Sequence, residues 1–187
     1  MDAFSYLSVL LSVILGLAIQ QILQGYRSLA LARRSVRWYW PTIAWTVSIL
    51  LMTAQHWWAS FSLAGHANWS FAAFAAILIQ TGLIYMFAGL VLPDIAATEP
   101  VDLRAHYYRE RIAFFGVGAL TISWSMVREL ILNDHLPLGA NLVFHLVFVA
   151  ISIVALLSAN ERLHKLIAGT MVALFTAYVA MLFAHLS

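Results

Sequence analysis

The chain has 187 residues, 63% of them hydrophobic, and only 10% carry a formal charge, ten as Lys or Arg and eight as Asp or Glu. A soluble domain is about 45–50% apolar and about 25% charged, so at a mean hydropathy of +0.88 this chain cannot cover a water-exposed globule, which excludes a soluble single-domain enzyme and intrinsic disorder. A net charge of +2 spread along the chain makes no basic patch for nucleic acid, and the lack of cysteine excludes disulfides, iron–sulfur clusters and thiolate metal sites.

A spanning helix needs about twenty mainly apolar residues. Long runs poor in charge predict six, at roughly 4–31, 39–62, 70–92, 110–132, 140–159 and 164–186. The reading is an all-α polytopic integral membrane protein, a single domain over 1–187. The first run is too long for a removable signal peptide and lacks a basic leader and a cleavage site.

In chain order, the first helix carries a stripe of Ser5, Ser8, Ser12, Gly16, Gln20, Gln24 and Arg27 at steps of three and four, and ends at Arg33-Arg34-Ser35-Val36-Arg37. The second places Thr42, Thr46, Thr53, His56 and Ser60 on one arc, and the third repeats Ala75, Gly82 and Gly89 with Gln80 as its strongly polar group. The stretch from Pro93-Asp94 to Arg104 is the longest connection. The fourth helix holds Gly118, Thr121, Ser125 and Arg128, with Glu129 beside the arginine, before the polar turn Asn133-Asp134-His135-Leu136-Pro137. The fifth holds Asn141, His145 and Ser152, and after Asn160-Glu161-Arg162 the sixth shows a seam of small residues at Gly169, Ala173, Ala177, Ala180 and Ala184.

Short connections make consecutive helices antiparallel neighbours. The first, third and fifth connections and their edges carry Arg33, Arg34, Arg37, Arg104, Arg109, Arg111, Arg162 and Lys165, while the opposite connections carry no Lys or Arg. The positive-inside rule then puts the basic loops in the cytoplasm and both termini outside a cell membrane. The aromatic belts agree, with Tyr26, Trp38, Tyr39, Trp40, Tyr107 and Tyr108 inside and Tyr6, Trp57, Trp58 and Trp69 outside. Three helices per half allow a 3+3 inverted repeat, echoed by Pro41 and Pro137 and by His56 and His145, although the spacings after the prolines do not match.

Lipid accepts uniformly apolar faces, so polar and small stripes mark faces turned away from it. The seam of the sixth helix is expected in a helix–helix contact. The stripe of the first, through Ser8, Ser12, Gly16, Gln20 and Gln24 and joined by Thr53 from the second helix, is expected to line a wet path or cavity. Ionisable residues within spans are candidate sites. His56 and His145 lie about 8–9 Å below the outer ends of their helices at 1.5 Å per residue, the depth of Arg128 and Glu129. Together with Gln80 and Ser125, and with Gln55 as a further support, they form an expected outer-leaflet ligand site. His106 and His164 are expected in a solvated inner rim.

These residues support a small transporter or channel for an anion or small carboxylate-bearing solute, as a homo-oligomer or as a subunit of a larger membrane complex. No metal site or resident cofactor is expected. The alternative is a haem-binding or quinone-linked electron-transfer subunit, with His56 and His145 as axial ligands of haem b. A third reading is a non-catalytic accessory subunit. The sequence has no phosphate loop, no His-Glu-x-x-His, no serine elbow and no carboxylate pair on one helix face, which leaves an intramembrane enzyme the least supported.

Overall fold

In the computed structural model, residues 3–65, 69–94 and 100–184 are described. His66, in the predicted second connection, and His185, in the predicted sixth run, lie outside them. The described residues form seven α-helices: α1 (Ala3–Leu31), α2 (Trp40–Ala59), α3 (Phe71–Leu90), α4 (Leu103–Arg109), α5 (Arg111–Asn133), α6 (Gly139–Leu157) and α7 (Glu161–Ala184). Six match the predicted runs, and α4 was not predicted. Among the described residues four helices are long and apolar enough to cross a membrane, namely Phe4–Leu31 within α1, α3, α5 and α6. The 20 residues of α2 and 24 of α7 are comparable in length.

Helix ends follow local chemistry. Pro41 sits in the first turn of α2, where its missing N–H costs nothing. The Ser70 hydroxyl accepts the Ala73 N–H at the start of α3 and the Asp102 carboxylate accepts the Ala105 N–H at the start of α4. Helix α5 stops at Asp134, whose φ of 58° is in the left-handed region that a short polar side chain tolerates.

Five helices, α2, α3, α5, α6 and α7, surround a central cavity, and α1 packs outside them on α3 and α2. The neighbours therefore depart from strict chain order: α1 lies chiefly on α3, because Leu7 and Leu11 are fully buried against Ile77. The cavity is closed at one end by rings. Trp45 of α2 meets Phe114 and Phe115 of α5 edge-on at 5.4 and 5.3 Å, and Phe87 of α3 lies 4.6 Å from Phe114. These contacts join three helices at geometries that aromatic quadrupoles favour. Gly118 permits them, since a Cβ there would come within 3.2 Å of the Phe87 ring.

Beyond the rings, polar ties bind the connections. Val36 pairs with Val101 and Arg37 with Asp102 in a two-residue parallel bridge (β1, Val36–Arg37; β2, Val101–Asp102), reinforced by an Arg37–Asp102 ion pair at 3.2 Å. Glu161 accepts from Arg104 at 2.8 Å and from Lys165 at 2.9 Å, tying α4 to α7. The expected solvated rim is corrected for its two histidines. His164 is 0% exposed, donating from Nε2 to the Ser158 carbonyl (2.8 Å) and accepting the Tyr107 O–H at Nδ1 (2.9 Å); His106 is buried against the Leu90 carbonyl. Arginines fill the water-facing positions, and the imidazoles serve the packing of α4.

Two outcomes follow from this packing. Replacing Gly118 with Leu, far too large for the 3.2 Å gap to the Phe87 ring, should cost about 1–3 kcal/mol, read as a lower melting temperature in detergent. Hydrogen bonds from Lys165 and Arg104 hold the Glu161 carboxyl down to about 2, against an ordinary value of 4.5. A depressed carboxylate stabilises the fold above the ordinary value and loses that contribution as pH falls through its own. The melting-temperature gap between the natural chain and Glu161→Gln should therefore be full above pH 4.5 and close as pH approaches 2, and should shrink with added salt.

Candidate functional site

The central cavity has a volume of about 140 Å³ and reaches from Pro137 and Ala59 at one end to Trp45 and Phe87 at the other. An engineered apolar cavity of about 150 Å³ holds one benzene, so the space suits a solute of that size. All six sequence-predicted ligand-site residues, His56, Gln80, Ser125, Arg128, Glu129 and His145, line this one cavity, and Gln55 joins them. They arrive from four helices: His56 on α2, Gln80 on α3, the Ser125–Arg128–Glu129 group on α5 and His145 on α6.

Hydrogen bonds define which atoms are free. The Thr81 hydroxyl donates to the Ile77 carbonyl at 2.9 Å, so the His56 contact at 3.3 Å is Nε2–H donating to Thr81 Oγ1, which leaves His56 Nδ1 without a proton when the ring is neutral. His145 donates from Nδ1 to the Asn141 carbonyl at 2.8 Å, and its Nε2 is uncommitted. Gln80 donates from Nε2 to the Thr121 carbonyl at 3.2 Å, but its Oε1 is buried with no partner. Arg128 Nε is likewise buried and unpartnered. Glu129 accepts from Asn133 Nδ2 at 2.6 Å, one turn along α5, and forms no ion pair with Arg128, from which it points about 100° away. A buried guanidinium N–H and a buried amide oxygen lacking partners are expensive. Both residues stand in the wall of the cavity.

The rest of the wall is apolar. Ile84, Ile122, Met52, Met171, Phe148 and Phe175 line it beside the polar group, so the cavity is amphipathic. Two polar residues not singled out from the sequence complete it: Tyr178 of α7 donates to Asn141 Oδ1 at 3.1 Å, and Thr81 anchors His56. Asn141 belonged to the expected α6 stripe. Thr81 follows Gln80 directly, and that adjacency was the available signal.

The expected stripe of α1 is placed elsewhere. Ser12, Gly16, Gln20 and Gln24 are exposed on the outside of the bundle and Ser8 is half-buried there; none lines the cavity. The inward face of α1 is instead Leu7, Leu11, Leu15, Ala18, Ile22 and Leu29. Those leucines fill the groove over α3, which a row of serines and glutamines would leave underpacked. Thr53 is buried but donates to its own helix at the Ile49 carbonyl. The seam on α7 is corrected as well, because Gly169, Ala173, Ala177 and Ala180 are exposed while Ile167, Ala168 and Met171 form the packed face. The Ala184 side chain lies outside the described residues.

Comparison of the chain with protein-family models, with curated proteins and with solved structures gave no match. The chemistry of the site therefore rests on its own residues. Tyr178→Phe removes the bond to Asn141 and should cost about 0.5–1.5 kcal/mol of stability, measured by thermal unfolding, without altering helix content.

Proposed function

We propose that the protein is a small membrane transporter that binds an amphipathic monocarboxylate in the cavity at Arg128. In this reading α2 and α7 also cross the bilayer, giving six spans. The basic connections face the cytoplasm by the positive-inside rule, and both termini and the mouth beside Pro137 face outward. The 3+3 repeat plays no part in it.

The observation that carries the reading is Arg128, its Nε buried and unpartnered, in the wall of a benzene-sized cavity lined by both polar and apolar side chains. A guanidinium binds a carboxylate with paired, charge-assisted hydrogen bonds. Gln80, with its amide oriented by Thr121, and the free Nε2 of His145 supply neutral contacts nearby. The Ile, Met and Phe wall suits a short branched or aromatic body. The ring cluster of Trp45, Phe87, Phe114 and Phe115 beneath the cavity supports a carrier that alternates access rather than an open channel.

A haem held between His56 and His145 fits these residues less well. His145 Nε2 and His56 Nδ1 each keep a free lone pair, but a cavity of 140 Å³ is far smaller than a tetrapyrrole. No specific observation favours the accessory-subunit reading.

The test is uptake of radiolabelled benzoate and isobutyrate by liposomes containing the purified protein. Uptake above empty liposomes is expected, and Arg128→Gln should reduce it by roughly 10- to 150-fold, the worth of a hydrogen bond to a charged group. Arg128→Lys should keep part of it. No uptake of any small monocarboxylate by the natural chain, or full uptake by Arg128→Gln, overturns the proposal. A Soret band in the purified protein's spectrum would instead favour the haem reading.

A further inference from the structure

The outward stripe of α1 is left without a purpose by the transport reading. Helix α1 has 29 residues centred on Leu17. Gln20 and Gln24 lie about 5 and 11 Å from that centre along the axis, within the roughly 15 Å half-thickness of the hydrocarbon. Of the three glutamines in this helix, Gln21 donates to the Tyr85 hydroxyl at 3.0 Å. Gln20 and Gln24 are exposed and have no hydrogen-bond partner among the described residues. A carboxamide presented to lipid has no water to bond, and each unmet group costs several kcal/mol.

Gly16 gives a second, independent observation. A Cβ at Gly16 would meet nothing within 4 Å, so no contact inside the chain requires glycine there. In a helix interior glycine costs about 1 kcal/mol relative to alanine. What it offers is close approach of another backbone. Ser8, Ser12 and Gly16 recur every four residues and lead directly into Gln20 and Gln24 at the same interval. A four-residue spacing drifts about 40° per step around the helix, which matches the right-handed crossing of small-xxx-small pairs in membranes.

We infer that α1 is the seam of a homodimer, in which two copies cross in parallel at Gly16 and pair Gln20 and Gln24 across a two-fold axis normal to the membrane. The occupant is a second copy because the patch complements itself. Each carboxamide both donates and accepts, so symmetry-related glutamines satisfy one another, as an isologous interface demands. Copies inserted in the same orientation present this stripe at the same depth. The exposed Val13, Leu17 and Leu23 flank it and supply apolar contact. The small-residue faces at Gly82 and Gly89 of α3 and at Gly169–Ala180 of α7 are also open, but their backbone-like surfaces carry no unpaired amide and are content in lipid. Because α1 lies outside the ring of helices, the dimer leaves both cavities intact. The inference requires α1 to cross the bilayer and does not depend on what the cavity binds.

The natural chain has no cysteine, so single-cysteine variants can be made directly. In proteoliposomes under mild oxidation, Gly16→Cys and Gln20→Cys should give a covalent dimer. Gly82→Cys, Ala173→Cys and the lipid-facing Leu146→Cys should remain monomeric. The double variant Gln20→Leu, Gln24→Leu removes the amides in favour of lipid-soluble side chains and leaves the buried face of α1 untouched. Its dimer dissociation constant, measured by fluorescence energy transfer on dilution into lipid, should rise roughly 3- to 30-fold per glutamine pair. Cross-linking at position 82 or 173 in place of 16 and 20, monomers at every position, or unchanged association of the double variant would each overturn the assignment. Uptake assays on the same variants separate this result from the transport reading.

Discussion

A polar side chain within hydrocarbon can bond only to other protein atoms, and the arrangement of this chain follows from that constraint. On α2, α3, α5 and α6 the polar positions turn toward one another. Thr53, Thr81 and Thr121 spend their hydroxyls on their own helix at distances of 2.7–2.9 Å. The larger groups cannot be satisfied that way, so they converge on a shared space. The cavity is the place where four helices bring the polar side chains that local bonding does not absorb.

The same constraint divides the molecule into two regions with different material. At one end Trp45, Phe87, Phe115 and Tyr107 meet edge to face, with Phe114 tilted against Phe87. At the other end the rings give way to Met52, Met171, Phe148 and Phe175 around the arginine and the histidines. Methionines adapt their shape at small cost, so this part of the wall deforms more easily than the ring cluster. Rigid packing and adaptable lining thus occupy successive depths of one bundle.

Much of this was legible from composition and periodicity. Six runs of hydropathy correspond to six of the helices, and His56, Gln80, Ser125, Arg128, Glu129 and His145 do share one cavity. Periodicity identified which residues avoid lipid on α5 and α6, because there the polar stripe is also the packed face. On α1 the two differ. A stripe turned from lipid meets either the same chain or another chain, and spacing alone does not distinguish these. Leucines at 7, 11 and 15 made an equally regular row, and it was that row that found α3. Helix α4 escaped notice for another reason: seven residues containing Arg104, His106 and Arg109 produce no hydropathy signal, and only Asp102 as an N-cap with basic residues in the last turn marks it. Tyr178 bonds across helices to Asn141, a pairing of residues 37 positions apart that no local pattern encodes.

All four ion pairs among the described residues, and the β1–β2 bridge, gather at the end of the bundle where the connections are basic. The end that carries Pro137 and the cavity mouth has none. A set of rods clamped at one end bends most easily at the other, where a small change in tilt becomes the largest displacement. The softest motion of this bundle therefore widens or narrows the mouth, with the strand bridge and the Glu161 pairs as its fulcrum.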